Sequence, residues 1–194
     1  IRQLWRHLVI ELVYGQSRDI IGSAVGVGDL SQARQVARLK SGSYTIERPL
    51  LLGAAAAGAD SAVVAALSAY GRELGEAFAL RDDLLGVWGD PQVTGKPAGD
   101  DLIAGKPTVI MALSNGINGH AREALERIGT PMFSAQDVTL LQAELLAHGV
   151  ADRVESMISS HVHAALDTLN PRLLDPDGIA GLTQLAQQIA WRNY

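Results

Sequence analysis

The stretch that most constrains this chain is a long helical run that ends in two adjacent acids and gives way to a loop dense in Gly, Pro and Lys. Residues 78–108 read F-A-L-R-D-D-L-L-G-V-W-G-D-P-Q-V-T-G-K-P-A-G-D-D-L-I-A-G-K-P-T. Asp82 and Asp83 fall at the end of the helix, and Asp90, Lys96, Asp100, Asp101 and Lys106 fall in the loop, whose Gly and Pro residues stop a helix from continuing. Adjacent carboxylates repel each other unless a cation lies between them. Hard oxygen donors suit Mg2+, which keeps several waters and shares its other positions with substrate phosphates. Lysines just downstream can then act as point charges on the same phosphates.

The use of lysine supports an anionic ligand. Of 16 basic residues only Lys40, Lys96 and Lys106 are Lys, and each stands beside Gly, Ser or Pro. Lys offers a compact, rotatable charge where Arg offers a planar fork. A Walker A loop is excluded, because Gly89 to Lys96 and Gly99 to Lys106 each hold one residue too many between the glycines and carry Pro where Ser or Thr must ligate the metal. An EF-hand is excluded too, since the acids do not alternate and no Glu closes a loop of the right length.

At 194 residues the chain is long enough to bury a sizeable core. Hydrophobic residues make up 47%, charged ones 19%, and mean hydropathy is +0.12, which suits extensive helix packing or a subunit interface. A net charge of -5 and the lack of any basic cluster speak against a nucleic-acid partner. With no Cys there is neither a disulfide framework nor a thiolate metal site. No apolar run reaches transmembrane length.

Along the chain, residues 2–22 have helical periodicity, and Gln16 and Asp19 share one face, either as a pair orienting metal-bound water or as a polar patch. Asp29 to Ser31 starts a short helix, Lys40 to Tyr44 is expected to break it, and a new helix begins near Arg48 with Pro49 in its first turn. Asp60 or Ser61 caps the long helix, along which Gly71, Gly75, Ala79 and Asp83 form one stripe. Two glycines on one face ask for a reason, either the close passage of another helix or a slot leading to the carboxylates. Helices are predicted over 120–128, 135–147, 150–169 and 177–192. His161 and His163, two apart, face apart and make poor co-ligands. No strand or internal repeat is found, so the fold class is all-α.

Taken together, G-Q-S-R-D at 15–19, K-S-G-S-Y at 40–44 and D-D-L-L-G with its downstream lysines resemble the G-Q-x-x-D, K-T-x-x-Y and second aspartate-rich motifs of the trans-isoprenyl diphosphate synthases, the polyprenyl synthetase family that includes geranylgeranyl and farnesyl diphosphate synthases. L-T-Q-L-A at 182–186 with Arg192 is similar to that family's last helix. The resemblance implies an isoprenoid-synthase-type helical bundle, with residues 1–194 as a single domain, the C-terminal part of such an enzyme. The first aspartate-rich motif and the isopentenyl diphosphate site are then expected upstream, and the chain alone is expected to be inactive.

The implied activity is Mg2+-dependent condensation of an allylic diphosphate with isopentenyl diphosphate into a longer all-trans prenyl diphosphate. The implied enzyme is a cytoplasmic homodimer without nucleic-acid partners. Carried over by position, Asp82, Asp83 and Asp19 would ligate Mg2+, and Lys40, Lys96 and Lys106 would hold the diphosphate. Asp82, Asp83 and Lys40 would carry catalysis. Gln16 and Asp19 would support the metals and their waters, and Ser41 and Tyr44 would lie beside the allylic group. Three positions depart from the pattern: Gly86 replaces a third Asp, Ala79 stands where Gln is frequent, and Ser41 replaces Thr. Gly86 and Ala79 leave room for a diverged, terpene-synthase-like enzyme. The lysines argue against a non-catalytic partner subunit, which needs no phosphate ligands.

Overall fold

The computed structural model describes residues 1–25 and 29–192, and every regular element among them is helical. The axis of the molecule is α4 (Ser61–Trp88), in the order α1 (Arg2–Val25), α2 (Leu30–Ala37), a π-helical segment (Arg38–Glu47), α3 (Arg48–Ala56) and α4. Asp60 starts α4 by accepting the N–H groups of Ala62 and Val63, both at 2.9 Å, which satisfies donors that have no partner within the helix. Tyr70, Leu74, Ala77, Leu80, Leu84 and Val87 recur every three or four residues along α4 and are buried.

Helices α10 (Val150–Asp167) and α11 (Pro176–Ala190) cover one side of α4. α10 brings Val154, Ile158, Val162 and Ala165 to the core. α11 is tied down by polar clamps: the Tyr70 hydroxyl donates to the Leu182 carbonyl at 2.6 Å, and Arg81 Nε donates to the Ala190 carbonyl at 2.5 Å. The same Arg81 makes a bidentate pair with Glu155, both contacts at 2.7 Å, so its buried guanidinium is fully engaged. α11 stops at Ala190, two residues short of the expected end. His161 also has a structural role, donating from Nδ1 to Glu73 at 2.7 Å and accepting at Nε2 from Arg34 at 3.1 Å, while His163 is exposed.

The expected break at Lys40–Tyr44 does not occur. The chain runs from α2, capped by Asp29, through the π-helical segment into α3 without interruption. Ser, Gly and Thr are poor helix formers, so local propensity reads a stop, but packing on both sides holds the turns together. On the α4 side, a β-carbon on Gly75 would lie 2.9 Å from the Gly42 carbonyl oxygen, and one on Gly71 would lie 2.8 Å from the Glu47 Cα. The glycine stripe therefore serves close backbone approach. On the α1 side, Glu11 accepts from Ser43 at 2.8 Å and from Arg48 Nε at 2.9 Å. Burial opposes the Glu11 charge, yet these hydrogen bonds outweigh it and hold the carboxyl below its ordinary value.

The loop after α4 contains two short turns, α5 (Pro91–Thr94) and α6 (Asp100–Ile103), before α7 (Val109–Leu113), α8 (His120–Arg127) and α9 (Ala135–Ala147). Asp90 caps α5 and Thr108 caps α7; Ser134 forms a reciprocal cap with Asp137 on α9. α1 is unusual in leaving Trp5, Val9, Ile10, Val13, Tyr14, Ile20 and Ile21 exposed. Among the described residues no helix is long and apolar enough to cross a membrane.

Candidate active site

Four elements converge at the C-terminal end of α4. Gly15 admits the first of them, since a β-carbon there would lie 2.7 Å from the Lys40 amide nitrogen. One turn further along α1, Asp19 accepts from Lys40 Nζ at 2.6 Å, so the G-Q-x-x-D and K-S-G-S-Y stretches meet through a close backbone crossing and an ion pair. Gly22, another turn on, faces the ring of Pro107, which brings the Lys106 loop against the same helix.

The loop and the end of α4 enclose a cavity of about 130 Å³ lined by Asp82, Gly86, Lys96, Asp100, Asp101 and Lys106 among others. Lys106 Nζ donates to the Asp101 carboxylate. Burial disfavours the Lys106 charge, but the hydrogen bond and the negative field of Asp101, Asp100 and Asp19 raise its pKa above the ordinary value. Lys96 is exposed and lines the cavity; its ammonium takes part in none of the ion pairs found among the described residues. Asp82 is the most exposed of the acids here and accepts from Arg192 at 3.1 Å, while the Arg192 guanidinium also stacks 4.0 Å from the centroid of Phe78.

Asp83 faces elsewhere. Its carboxylate accepts the Val109 N–H at 3.0 Å, capping the N-terminus of α7 together with Thr108. Burial, opposed by that hydrogen bond and reinforced by the charges of Asp101 and Asp82, pushes its carboxyl up to about 8. The structure thus brings Asp82, Lys96 and Lys106 to one cavity and Asp19 with Lys40 beside it. Asp83 is turned into the α4–α7 junction, and Gln16 and Tyr44 are exposed. Ser41 is half-buried on the π-helical segment. Asp101 and Arg192 had no assigned role in the ligand set read from the sequence. The hint to Asp101 was the missing third carboxylate at Gly86, but a contact spanning fifteen residues is not visible in periodicity.

The donors have the right chemistry for Mg2+, which takes one or two carboxylates and completes its shell with water and phosphate oxygens. Among the described residues no three His, Asp or Glu side chains converge on one point, and Asp19, Asp82 and Asp101 each face a lysine or arginine. A divalent ion would therefore be shared between one or two of these carboxylates and a bound anion.

The helical architecture is that of the isoprenoid-synthase class. It superimposes on geranylgeranyl pyrophosphate synthase from Corynebacterium glutamicum, solved in complex with isoprenyl diphosphate and magnesium, with a TM-score of 0.90 and 36% identity, covering 98% of this chain and 55% of that one. Residues 1–143 match the family described as Polyprenyl synthetase, and the chain belongs to that family. It is 35% identical over 161 residues to geranylfarnesyl diphosphate synthase of Aeropyrum pernix, covering 83% of this chain and 50% of the relative. It is 40% identical over 136 residues to geranylgeranyl diphosphate synthase of Mycobacterium tuberculosis, covering 69% of this chain and 39% of the relative. The chain thus spans about half the length of the curated relatives it matches.

Proposed function

We propose that the protein is a trans-prenyltransferase of the cytoplasm, and that residues 1–194 supply the diphosphate-holding half of its active site. The observation that carries this reading is the cavity at the end of α4, whose wall holds Lys96 and Lys106 together with the carboxylates of Asp82, Asp100 and Asp101. In the reaction, the C–O bond between an allylic carbon and its diphosphate breaks. The double bond of isopentenyl diphosphate attacks the allylic cation, and loss of a proton restores a double bond in the lengthened chain.

Lys96, Lys106 and Lys40 bind the departing diphosphate and stabilise the charge that builds on it. Ser41 and Tyr44, on the segment that carries Lys40, lie on the allylic side. Asp82 and Asp19, with Gln16 supporting their waters, would hold Mg2+, which when bound neutralises further diphosphate charge, while Asp83 would serve the metal only by turning away from the start of α7. The magnesium and isoprenyl diphosphate bound in the C. glutamicum relative support this. No D-D-x-x-D occurs within the 194 residues, so we assign a facing motif to another segment, and the exposed apolar face of α1 suits packing against that segment or a second subunit of a homodimer. Residues 1–194 alone are then inactive in condensation.

The test is Lys96→Ala in the full-length protein. Loss of one charge-assisted contact costs about 1.5 to 3 kcal/mol, so calorimetry at saturating Mg2+ should show about a ten- to hundredfold weaker affinity for the allylic diphosphate. The melting temperature should not move, because the exposed side chain supports no packing. Unchanged affinity would remove Lys96 from the site.

A further inference from the structure

We propose that Asp101 is a positioning residue for Lys106, and that it occupies from outside α4 the space a third carboxylate on α4 would need. The inference rests on the reading of the cavity as a diphosphate site. The acidic end of α4 runs Asp82, Asp83, Leu84, Leu85, Gly86. A β-carbon on Gly86 would lie 2.0 Å from Asp101 Oδ2 and 2.5 Å from its Cγ, so the Asp101 carboxylate rests directly on the bare backbone of Gly86. No residue with a side chain fits at position 86 while Asp101 stays where it is, since real β-carbons do not approach other atoms this closely.

Asp101 is itself buried, at 9% exposure, and has a fixed mount. It lies in the first turn of α6, which begins after Gly99 at a positive φ of 79°, a conformation that glycine adopts without strain. From there it holds Lys106 twice. Its carbonyl accepts the Lys106 N–H at 3.1 Å, and its carboxylate accepts from the Lys106 ammonium. A lysine on a flexible four-carbon stem would otherwise sample many rotamers, and fixing it beforehand removes an ordering cost from anion binding. Gly86, Asp101 and Lys106 line the same cavity as Lys96, so the ammonium is held at the wall of the space it serves.

Gly86→Ala tests this without altering the charge of the site. It displaces the Asp101 carboxylate and leaves every acid and base in place. The probe is inorganic pyrophosphate, titrated calorimetrically into the full-length protein at saturating Mg2+, with Lys106→Ala and the Gly86→Ala/Lys106→Ala double variant alongside. Lys106→Ala should weaken binding about tenfold or more, Gly86→Ala should weaken it by a comparable factor, and the double variant should be no weaker than Lys106→Ala. If Gly86→Ala does not fold, as judged by its melting transition, Asp101→Asn in the Lys106 and Lys106→Ala backgrounds makes the same comparison. A Gly86→Ala effect that is absent, or equal with and without Lys106, overturns the positioning role while leaving the diphosphate site standing. No pyrophosphate binding by the parent protein, or no loss with both Lys106→Ala and Lys96→Ala, overturns the diphosphate reading and this inference with it, and no loss with Lys106→Ala alone overturns this inference.

Discussion

Replacing Gly42 by alanine puts one methyl group into the contact on which the π-helical segment depends. The added β-carbon would lie 2.5 Å from the Gly75 carbonyl oxygen and 2.7 Å from its carbonyl carbon. Both are backbone atoms of α4, so neither can swing aside as a side-chain end would. Overpacking of this kind costs about 1 to 3 kcal/mol, and a backbone contact this short belongs at the upper end. Alanine recovers at most about 1 kcal/mol of helix propensity. The net loss is therefore about 2 kcal/mol, which at a urea slope of about 2 kcal/mol/M lowers the unfolding midpoint by about 1 M. Gly75→Ala, whose β-carbon would meet the same crossing at 2.9 Å, should lose less. Gly53→Ala is the control, since nothing lies within 4 Å of that β-carbon, and it should gain about 0.5 to 1 kcal/mol. The assay is urea unfolding followed by far-ultraviolet circular dichroism. If Gly42→Ala is as stable as Gly53→Ala, the crossing does not depend on glycine and the account of the π-helical segment fails.

Asp82→Asn in the full-length enzyme should lose most turnover, by about tenfold or more, and need more Mg2+ for what remains, because the exposed carboxylate is the one best placed to share a metal with a bound diphosphate; a Mg2+ titration of activity that superimposes on the parent would reduce Asp82 to a partner of Arg192. Asp137 is a second, independent case: the Arg127 side chain, then the Ser134 backbone and hydroxyl, hold its carboxyl down to about 2 from an ordinary 3.8. A depressed folded-state value gives stability that is present above pH of about 4 and lost as pH falls through about 2, so acid titrations of stability for the parent and Asp137→Asn should converge over that window.

The fold class, the helix starts at Asp29 and Asp60 and the family were legible because each is written in local sequence. Capping needs only a short polar side chain at a helix start, and the motifs at 15–19, 40–44 and 82–106 keep their order and, apart from Ser41 and Gly86, their residue types. The continuity of residues 38–47 was not legible. Its stability comes from Gly75 on one side and from Glu11 on the other, residues thirty or so positions away in either direction, while its own Ser, Gly and Thr vote for a break. The direction of Asp83 was hidden for a related reason. Two adjacent acids on a helix point about 100° apart, so the sequence pairs them while the geometry sends one to the cavity and the other to the start of α7.

What assembles the candidate site is a series of positions where a side chain is absent. Gly15 lets the Lys40 backbone lie against α1, and only then does Asp19 reach the Lys40 ammonium. Gly22 admits Pro107 and so fixes the far end of the Lys106 loop. Gly42 and Gly75 let the segment bearing Lys40, Ser41 and Tyr44 touch α4, and Gly86 receives Asp101. Each of these glycines lies in or beside a helix, where it costs about 1 kcal/mol relative to alanine. At Gly15, Gly42 and Gly75 that cost is offset by bringing backbone to within van der Waals range of backbone, and at Gly22 and Gly86 by seating the Pro107 ring and the Asp101 carboxylate against bare helix, which places the base of each charged side chain before its rotamer is chosen. Charged groups on long stems hold a diphosphate well only when their roots are fixed, because freedom at the root multiplies along every rotatable bond. A glycine at 15, 42, 75 or 86 is thus as much a part of the proposed anion site as the lysines, even though none of them contributes a polar side-chain atom to it.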